Sequence, residues 1–541
     1  MLQVVFYVIC AAAWVVYLRY YLWMFQQNSN RPERFWKWYR ENPMPRLFSR
    51  SKVKFVFTPR MQRLALTSTL LAGALGFAIS LLPALAAIFA LTALVVLLCP
   101  FVLLLANLVN SPVEKAITDW YIRDARRILA SRPDLKIIGV TGSYGKTSTK
   151  NYLYRILSEK YNVLITPGNF NTTLGVVRTI REKLEPFHEV FIVEMGAKQV
   201  GDIAEICDLV HPTAGIVTAV GEMHLETFGS LSNIQKTKFE LVDSLPADGL
   251  AVINEESEGI ASFGGVRTDC EVVRYGIDAH RVDVRAANIK YAADGMSFDL
   301  IDAQGSIHLQ TRLLGEANIL DLSAAIILAK RLGVSDRQIS IAVGKIQPVE
   351  HRLSISRHGS LTILDDAYNS NPAGAAMALG VLASMRIPEG GRRICVTPGF
   401  VELGERQAAA CRELGSRAVR AADFLVIVNK YNREAILSGA REALDSTAPV
   451  SPASSAGDVP AALDSPASSA FSAADVPTAL ASPASSAGDV PAAQRPGPKA
   501  RTVEDCVLCV DTLSEAVAAL GSLATPGSVI LYENDLPDTF V

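Results

Sequence analysis

The stretch from Ile137 to Lys150, IIGVTGSYGKTSTK, restricts what the chain can fold into more than any other. A short apolar run gives way to glycine and small polar residues, then to Lys146-Thr147-Ser148 where a helix-forming segment, Asn151 to Glu159, takes over. That order predicts strand, phosphate loop, helix. Gly142 and Gly145, with Ser143 after the first, free the backbone to turn its N–H groups toward a polyphosphate. Lys146 supplies a point charge, Thr147 a hydroxyl that can hold magnesium, and Ser148 continues the loop into the helix. Counted from Gly142 the loop is shorter than the usual GxxxxGK[ST] spacing, and counted from Gly139 it is a near fit. A glycine-rich turn without a ligand is the plainer reading; the strand before and the helix after favour ATP.

With 541 residues the chain exceeds one core, so several domains are expected. Its 52 basic and 54 acidic side chains give a net charge of -2, which excludes a global nucleic-acid binder and leaves only local charge arguments. The eight cysteines are scattered, which argues against a disulfide framework and for a reducing compartment. Cys506 and Cys509 form a lone CxxC inside a strand-like run and read as packing residues.

Leu2 to Leu18 carries no charge, and the apolar segment reaches Trp23, long enough to span a bilayer. A basic n-region and a small-residue cleavage site are both missing, so a signal peptide is the weaker reading. Residues 26–63 are strongly basic and read as a cytoplasmic loop, its Phe35, Trp36, Trp38 and Tyr39 lying in the headgroup layer or simply solvated. From Leu64 to Asn110 there is again no charge, with Pro83 near the middle, which predicts two further spans, 64–82 and 84–109. With the basic loop inside, everything after Asn110 is cytoplasmic, as an ATP site requires. The expectation is a multi-pass protein of a bacterial plasma membrane, with membrane lipid as a partner and cytoplasmic catalytic domains.

An amphipathic connector, 111–136, leads into alternating strands and helices. Strand candidates Ile137–Val140, Asn162–Thr166, Val190–Glu194, Ala214–Ala219 and Leu250–Asn254 predict an α/β domain over 137–348 with a parallel sheet and ligands at the strands' carboxyl ends. A second set, Ile363–Asp366, Ile394–Thr397, Phe424–Asn429, Val507–Val510 and Val529–Glu533, predicts a Rossmann-like α/β domain over 349–541. The fold class is thus α/β, a P-loop domain and a C-terminal α/β domain preceded by transmembrane helices in 1–110. Residues 445–499, rich in Ala, Ser and Pro with SPASSA recurring at Ser451, Ser465 and Ser482, read as a disordered insertion.

Further polar residues fall where a nucleotide site can use them. Glu194 ends an apolar strand in FIVEMGA, where a carboxylate can bind magnesium, though many strand-end glutamates are structural. His224, in GEMHLETFGS, follows another strand to the same sheet edge; alone it would more often be an ordinary histidine. Lys238, in QKTKFEL, reads by default as a solvated helix lysine, and Asn169 and Asn171 in PGNFNTT as loop-turn residues about as readily as ligand contacts.

Together TGSYGKTS, GNFNTTLGV, EMGA, HLETFGS with KTKFEL, GEANILDLSAA, EHRL and LDDAYNSNP stand in the order and approximate spacing of the Mur ligases. Over about Ile137 to Gly415 the chain resembles this family, and within it the type that joins D-alanyl-D-alanine to UDP-N-acetylmuramoyl-tripeptide. The resemblance implies an ATP- and Mg2+-dependent amide ligase of peptidoglycan precursor synthesis, working through an acyl phosphate on a muramyl peptide and D-Ala-D-Ala or a similar amine. It implies that Lys146 contacts the β- and γ-phosphates and that Thr147 and Glu194 hold one magnesium. His224 would hold a second, with Lys238 as N6-carboxylysine. Asn318 would lie beside the adenine, and Arg352 would reach the γ-phosphate. Asp365, Asp366, Tyr368, Asn369 and Asn371 would border the nucleotide and the incoming amine.

Two departures stand out. Soluble ligases of this type begin with a globular domain for the uridine nucleotide, where this chain has the apolar hairpin and basic loop of residues 1–110. The chain ends LYENDLPDTFV where many members carry a lysine-glycine-serine motif. The alternatives are a ligase or amidating enzyme acting on a lipid-linked cell-wall precursor, and a nucleotide-binding scaffold without catalysis.

Overall fold

The computed structural model describes residues 2–28, 30–43, 55–168, 170–267, 269–292, 295–313, 315–347, 353–367, 371–385, 387–401, 403–445 and 502–534. Asn169, Arg352, Tyr368, Asn369 and nearly all of the predicted insertion lie outside these residues.

The chain begins with α1 (Leu2–Gln27), α2 (Pro32–Glu41), α3 (Pro59–Ser80), α4 (Leu85–Leu97) and α5 (Cys99–Ala130). Two helices, Val4–Gln27 and Pro59–Ser80, are long and apolar enough to cross a membrane. The predicted span over 84–109 falls on two helices meeting at 66°, which among the described residues make a third candidate span only if the bent pair is one span. Pro100 starts the second of these helices, and a proline suits a first turn because its missing N–H has no partner there anyway. The predicted connector over 111–136 is largely helical, because α5 continues through Pro112 to Ala130. In the basic loop, α2 buries Phe35 completely, with its ring edge-on to Phe25 and Tyr21 at centroid distances of 5.5 and 6.3 Å. Phe35, with the partly buried Trp38 and Tyr39, therefore builds a small core with α1, Met61, Leu64 and Leu103, while Trp36 stays exposed.

Among the described residues two sheets form. The larger comprises β1 (Lys136–Thr141), β2 (Val163–Ile165), β3 (Val190–Met195), β4 (Ala214–Val217), β5 (Leu250–Asn254), β6 (Glu271–Gly276), β7 (Val284–Ala292), β8 (Gly295–Asp302) and β9 (Gly305–Thr311), in the order β2-β3-β1-β4-β5-β6-β7-β8-β9. Pairing is parallel through β7 and antiparallel for β7-β8-β9. The parallel strands are buried on both faces, which is why they read as unbroken apolar runs. One face is covered by α6 (Lys146–Leu157) and a later helix, Glu316–Arg331. The other is covered by α7 (Thr173–Lys183), α8 (Asp202–Val210) and the C-terminal half of α5, which buries Ala125. The second sheet, with strands at Ser354–His358, Leu361–Asp366, Arg393–Thr397, Phe424–Val428, Val507–Val510 and Val529–Glu533, is parallel except for its first strand.

Candidate nucleotide and metal site

β1 lies between β3 and β4, and register aligns their carboxyl ends. Val140 pairs with Glu194, Thr141 with Met195 and with Val217. The loop after β1, the end of β3 and the segment after β4 therefore emerge side by side, as ligand sites do where strand order reverses in a parallel sheet.

The loop after β1 is fastened to the segment after β4. Ser143 N donates to Ala219 O at 2.7 Å, Ser143 Oγ donates to Gly221 O at 3.0 Å, and Thr218 Oγ1 donates to Tyr144 O. Gly145 caps α6 at φ 81, a left-handed conformation that costs a side chain strain, and a Cβ there would strike the Asp321 carboxylate. Asp321 also accepts from Thr149 Oγ1 at 3.1 Å, so the loop and the start of α6 are braced from behind. Lys146 Nζ folds over the loop, donating to Gly142 O at 2.7 Å and Ser143 O at 3.0 Å. Ser148 is buried in the first turn.

Glu194 is 1% exposed. Its Oε1 accepts from Thr147 Oγ1 and from Asn171 Nδ2, each at 3.2 Å, and its Oε2 lies 2.9 Å from Lys150 Nζ. Lys150 and Glu194 thus form a buried ion pair through Oε2. Burial alone would push this carboxyl upward; the charges of Lys150 and Lys146 and the Asn171 amide outweigh it and hold the group below its usual pKa. Removing either member of the Lys150–Glu194 pair would strand the other's charge, at a cost of about 3–5 kcal/mol.

One ionised carboxylate and one hydroxyl beside a phosphate loop suit magnesium, which takes one or two carboxylates and completes its shell with phosphate and water. Among the described residues no three His, Cys, Asp or Glu side chains come together as a metal cluster. His224 takes a left-handed backbone at φ 54 and caps the short helix α9 (Leu225–Phe228). Lys238 lies in α10 (Leu231–Asp243), where it is 3% exposed. Burial, reinforced by the Lys146 charge and opposed by Asp202 and Glu240, pushes its pKa down to about 7. The default reading of a solvated lysine does not describe it.

The remaining residues are dispersed. Asn318 accepts from Tyr152 Oη at 2.6 Å, tying the Glu316–Arg331 helix to α6. In the second sheet Asp365 accepts from Ala367 N at 3.2 Å and Asp366 from Leu353 N at 3.0 Å. Asn371 caps the Pro372–Ser384 helix, accepting from Gly374 N at 3.0 Å. Arg406, after the strand Arg393–Thr397, pairs with Glu222, two residues before His224, so the two sheets' loops meet at this edge.

The model of the Mur ligase middle domain matches residues 140–329. The UDP-N-acetylmuramoyl-tripeptide--D-alanyl-D-alanine ligase of Escherichia coli (strain K12) is 31% identical over 336 residues, covering 60% of this chain and 73% of that protein. Its namesake from Mycobacterium tuberculosis (strain ATCC 25618 / H37Rv) is 34% identical over 297 residues, where the match spans only 56% of that protein's length. In fold the chain is similar to MurF from Acinetobacter baumannii, at TM-score 0.60 and 23% identity over 77% of each chain. It is also similar to the MurF ligase from Thermotoga maritima in complex with ADP, at TM-score 0.58 and 21% identity over 77% of this chain and 80% of that one. With a phosphate loop and a strand-end carboxylate meeting inside this matched region, the chain belongs to the Mur ligase family of ATP-dependent ligases.

Proposed function

We propose that the protein joins D-alanyl-D-alanine to UDP-N-acetylmuramoyl-tripeptide at the expense of ATP, the reaction named for its Escherichia coli and Mycobacterium relatives. The observation that carries this reading is the meeting of Thr147 and Glu194 at 3.2 Å, because it sets a metal-binding pair beside the loop that would hold the phosphates.

A carboxylate oxygen of the tripeptide attacks the γ-phosphorus, the bond to the β,γ-bridging oxygen breaks, and ADP leaves with an acyl phosphate formed. The amine of D-alanyl-D-alanine then attacks the acyl carbon and loses a proton, and phosphate departs from the tetrahedral intermediate. Both steps gather negative charge, so preorganised positive groups and N–H donors count most. Magnesium, when bound, offsets phosphate charge. Lys146 would leave the loop carbonyls for the β- and γ-phosphates, and Arg352 would reach the γ-phosphate from the C-terminal side. Thr147 and Glu194 would hold one ion, with His224 and Lys238 serving a second. Burial keeps a share of Lys238 as free amine near neutral pH, and that amine can add CO2 with loss of a proton to give N6-carboxylysine. Asn318 would lie beside the adenine, and Asp365, Tyr368 and Asn369 would border the nucleotide.

The domain organisation fits a ligase tethered at residues 1–110, with 137–348 and 349–541 as catalytic domains on the cytoplasmic side of a bacterial plasma membrane. One contact favours a second reading, in which a membrane lipid carries the muramyl peptide. Arg31, just beyond α1, places Nη1 3.4 Å from Gln199 Oε1, on the loop that follows Glu194, so the membrane-proximal chain touches the rim of the site.

The full chain in detergent, given ATP, Mg2+, the UDP-linked tripeptide and D-alanyl-D-alanine, is expected to release ADP and a UDP-linked pentapeptide. ADP release only with a lipid-linked muramyl peptide would select the second reading, and none with either would overturn both.

A further inference from the structure

Lys150 is a buried cation with no part in the chemistry above. It sits on α6 one turn beyond Thr147, and its side chain is 1% exposed. Its Nζ donates to Thr166 O at 2.9 Å and to Gly168 O at 2.8 Å, and faces Glu194 Oε2 at 2.9 Å. The two carbonyls belong to the segment between β2 and α7, which also carries Asn171. One ammonium therefore joins three pieces of the site: the phosphate-loop helix, the Asn171 loop and the end of β3.

The two oxygens of Glu194 are used differently. Oε2 faces Lys150, whereas Oε1 faces the Thr147 hydroxyl and the Asn171 amide. A carboxylate anchored through one oxygen presents the other in a fixed direction, and groups that orient a metal ligand influence affinity nearly as strongly as some ligands do. A solvated lysine would supply no such restraint. Lys150 is fixed because its donors are spent on backbone carbonyls that the folded sheet holds in place.

We propose that Lys150 is a positioning residue that anchors Glu194 through Oε2, so that Oε1 is presented to the metal beside Thr147, and that ties the Asn171 loop to the same carboxylate. The inference rests on the reading that Glu194 serves the metal. It assigns Lys150 no contact with nucleotide or substrate.

The test is Mn2+ binding to the full chain in detergent, followed by electron paramagnetic resonance in the presence of a non-hydrolysable ATP analogue. Lys150→Met, Glu194→Gln and the double variant are compared with the parent, with thermal unfolding recorded for each. Lys150→Met is expected to weaken Mn2+ binding ten- to hundredfold. In the Glu194→Gln background the same change is expected to alter it less than twofold, because the residue through which Lys150 acts has lost its charge. Lys150→Gln, which keeps an amide donor for the two carbonyls, replaces Lys150→Met if the latter does not fold, with the same expectation. Unchanged or tighter Mn2+ binding in a folded Lys150 variant, or an equal loss in both backgrounds, overturns the proposal. If Glu194→Gln alone leaves Mn2+ binding intact, the metal reading of Glu194 has failed instead, and Lys150 loses its role with it.

Discussion

The Thr147 hydroxyl donates to Glu194 Oε1 at 3.2 Å, joining the first turn of the phosphate-loop helix to the end of the neighbouring strand. The parallel register of β1 and β3 produces this contact, since it places Glu194 opposite Val140, just before the loop begins. Glu194→Gln keeps the shape and removes the charge. It is expected to lower kcat/KM for Mg-ATP by about a hundredfold or more, with a raised Mg2+ requirement in initial-rate titrations. Activity that stays within a few-fold of the parent would show that the metal is held elsewhere.

Gly145 is a loop position that cannot readily accept a side chain, because its φ of 81 and the adjacent Asp321 carboxylate both oppose a Cβ. Gly145→Ala should cost about 1 kcal/mol in backbone strain alone. The shift of Asp321 or of the loop should weaken nucleotide binding by at least about tenfold, or 1.4 kcal/mol, by calorimetry with an ATP analogue.

Lys238 should leave a signature in pH-dependent stability. Its folded pKa is near 7 and its unfolded value 10.5, so between these limits the unfolded chain holds a proton that the folded chain releases. Protons then favour unfolding, and this group's contribution to stability rises with pH from 7 to 10.5, by on the order of 1 kcal/mol per pH unit, and is flat below 7. Metal-free and CO2-free denaturant curves of the parent should show this slope relative to Lys238→Met. Lys238→Ala should abolish turnover, and a short added carboxylate should restore part of it by standing in for the carbamate. Full activity without addition would remove Lys238 from the site.

Arg406 and Glu222 pair between the loops of the two sheets while both remain partly exposed, so the bond contributes little to stability. Its expected effect is on the approach of the two sheets' loops. Arg406→Glu should lower kcat/KM several-fold with an almost unchanged melting temperature. Adding Glu222→Arg should restore much of the loss, and additive losses would mean that the two residues act separately.

Where burial makes sequence and structure say the same thing, the fold was legible. β5 and the strand Val529–Glu533 occupy the predicted residues, because a parallel strand covered on both faces shows as an apolar run; Val507–Val510 also matches, although it is an edge strand and only half-buried. β7 to β9 escaped notice, because Arg285, Asn288, Lys290 and Asp299 interrupt the pattern on a half-exposed antiparallel ladder. Among the candidate site residues, the position of Glu194 near a strand end was legible. Lys150 was not, because a helix lysine reads as solvated; its one signal is the i, i+3 spacing from Thr147, which puts both on the face of α6 turned toward β3. Asn371, which the resemblance sets near the ligands, caps the Pro372–Ser384 helix, a role that Asn-Pro at a helix start also predicts.

The central claim is that ATP activates a carboxylate on the muramyl peptide. The most direct measurement uses UDP-N-acetylmuramoyl-tripeptide whose terminal carboxylate is labelled with 18O, turned over with ATP, Mg2+ and D-alanyl-D-alanine. An acyl phosphate requires one labelled oxygen to pass from the carboxylate to the released phosphate for every amide bond formed. Phosphate free of label while the pentapeptide accumulates would contradict the account.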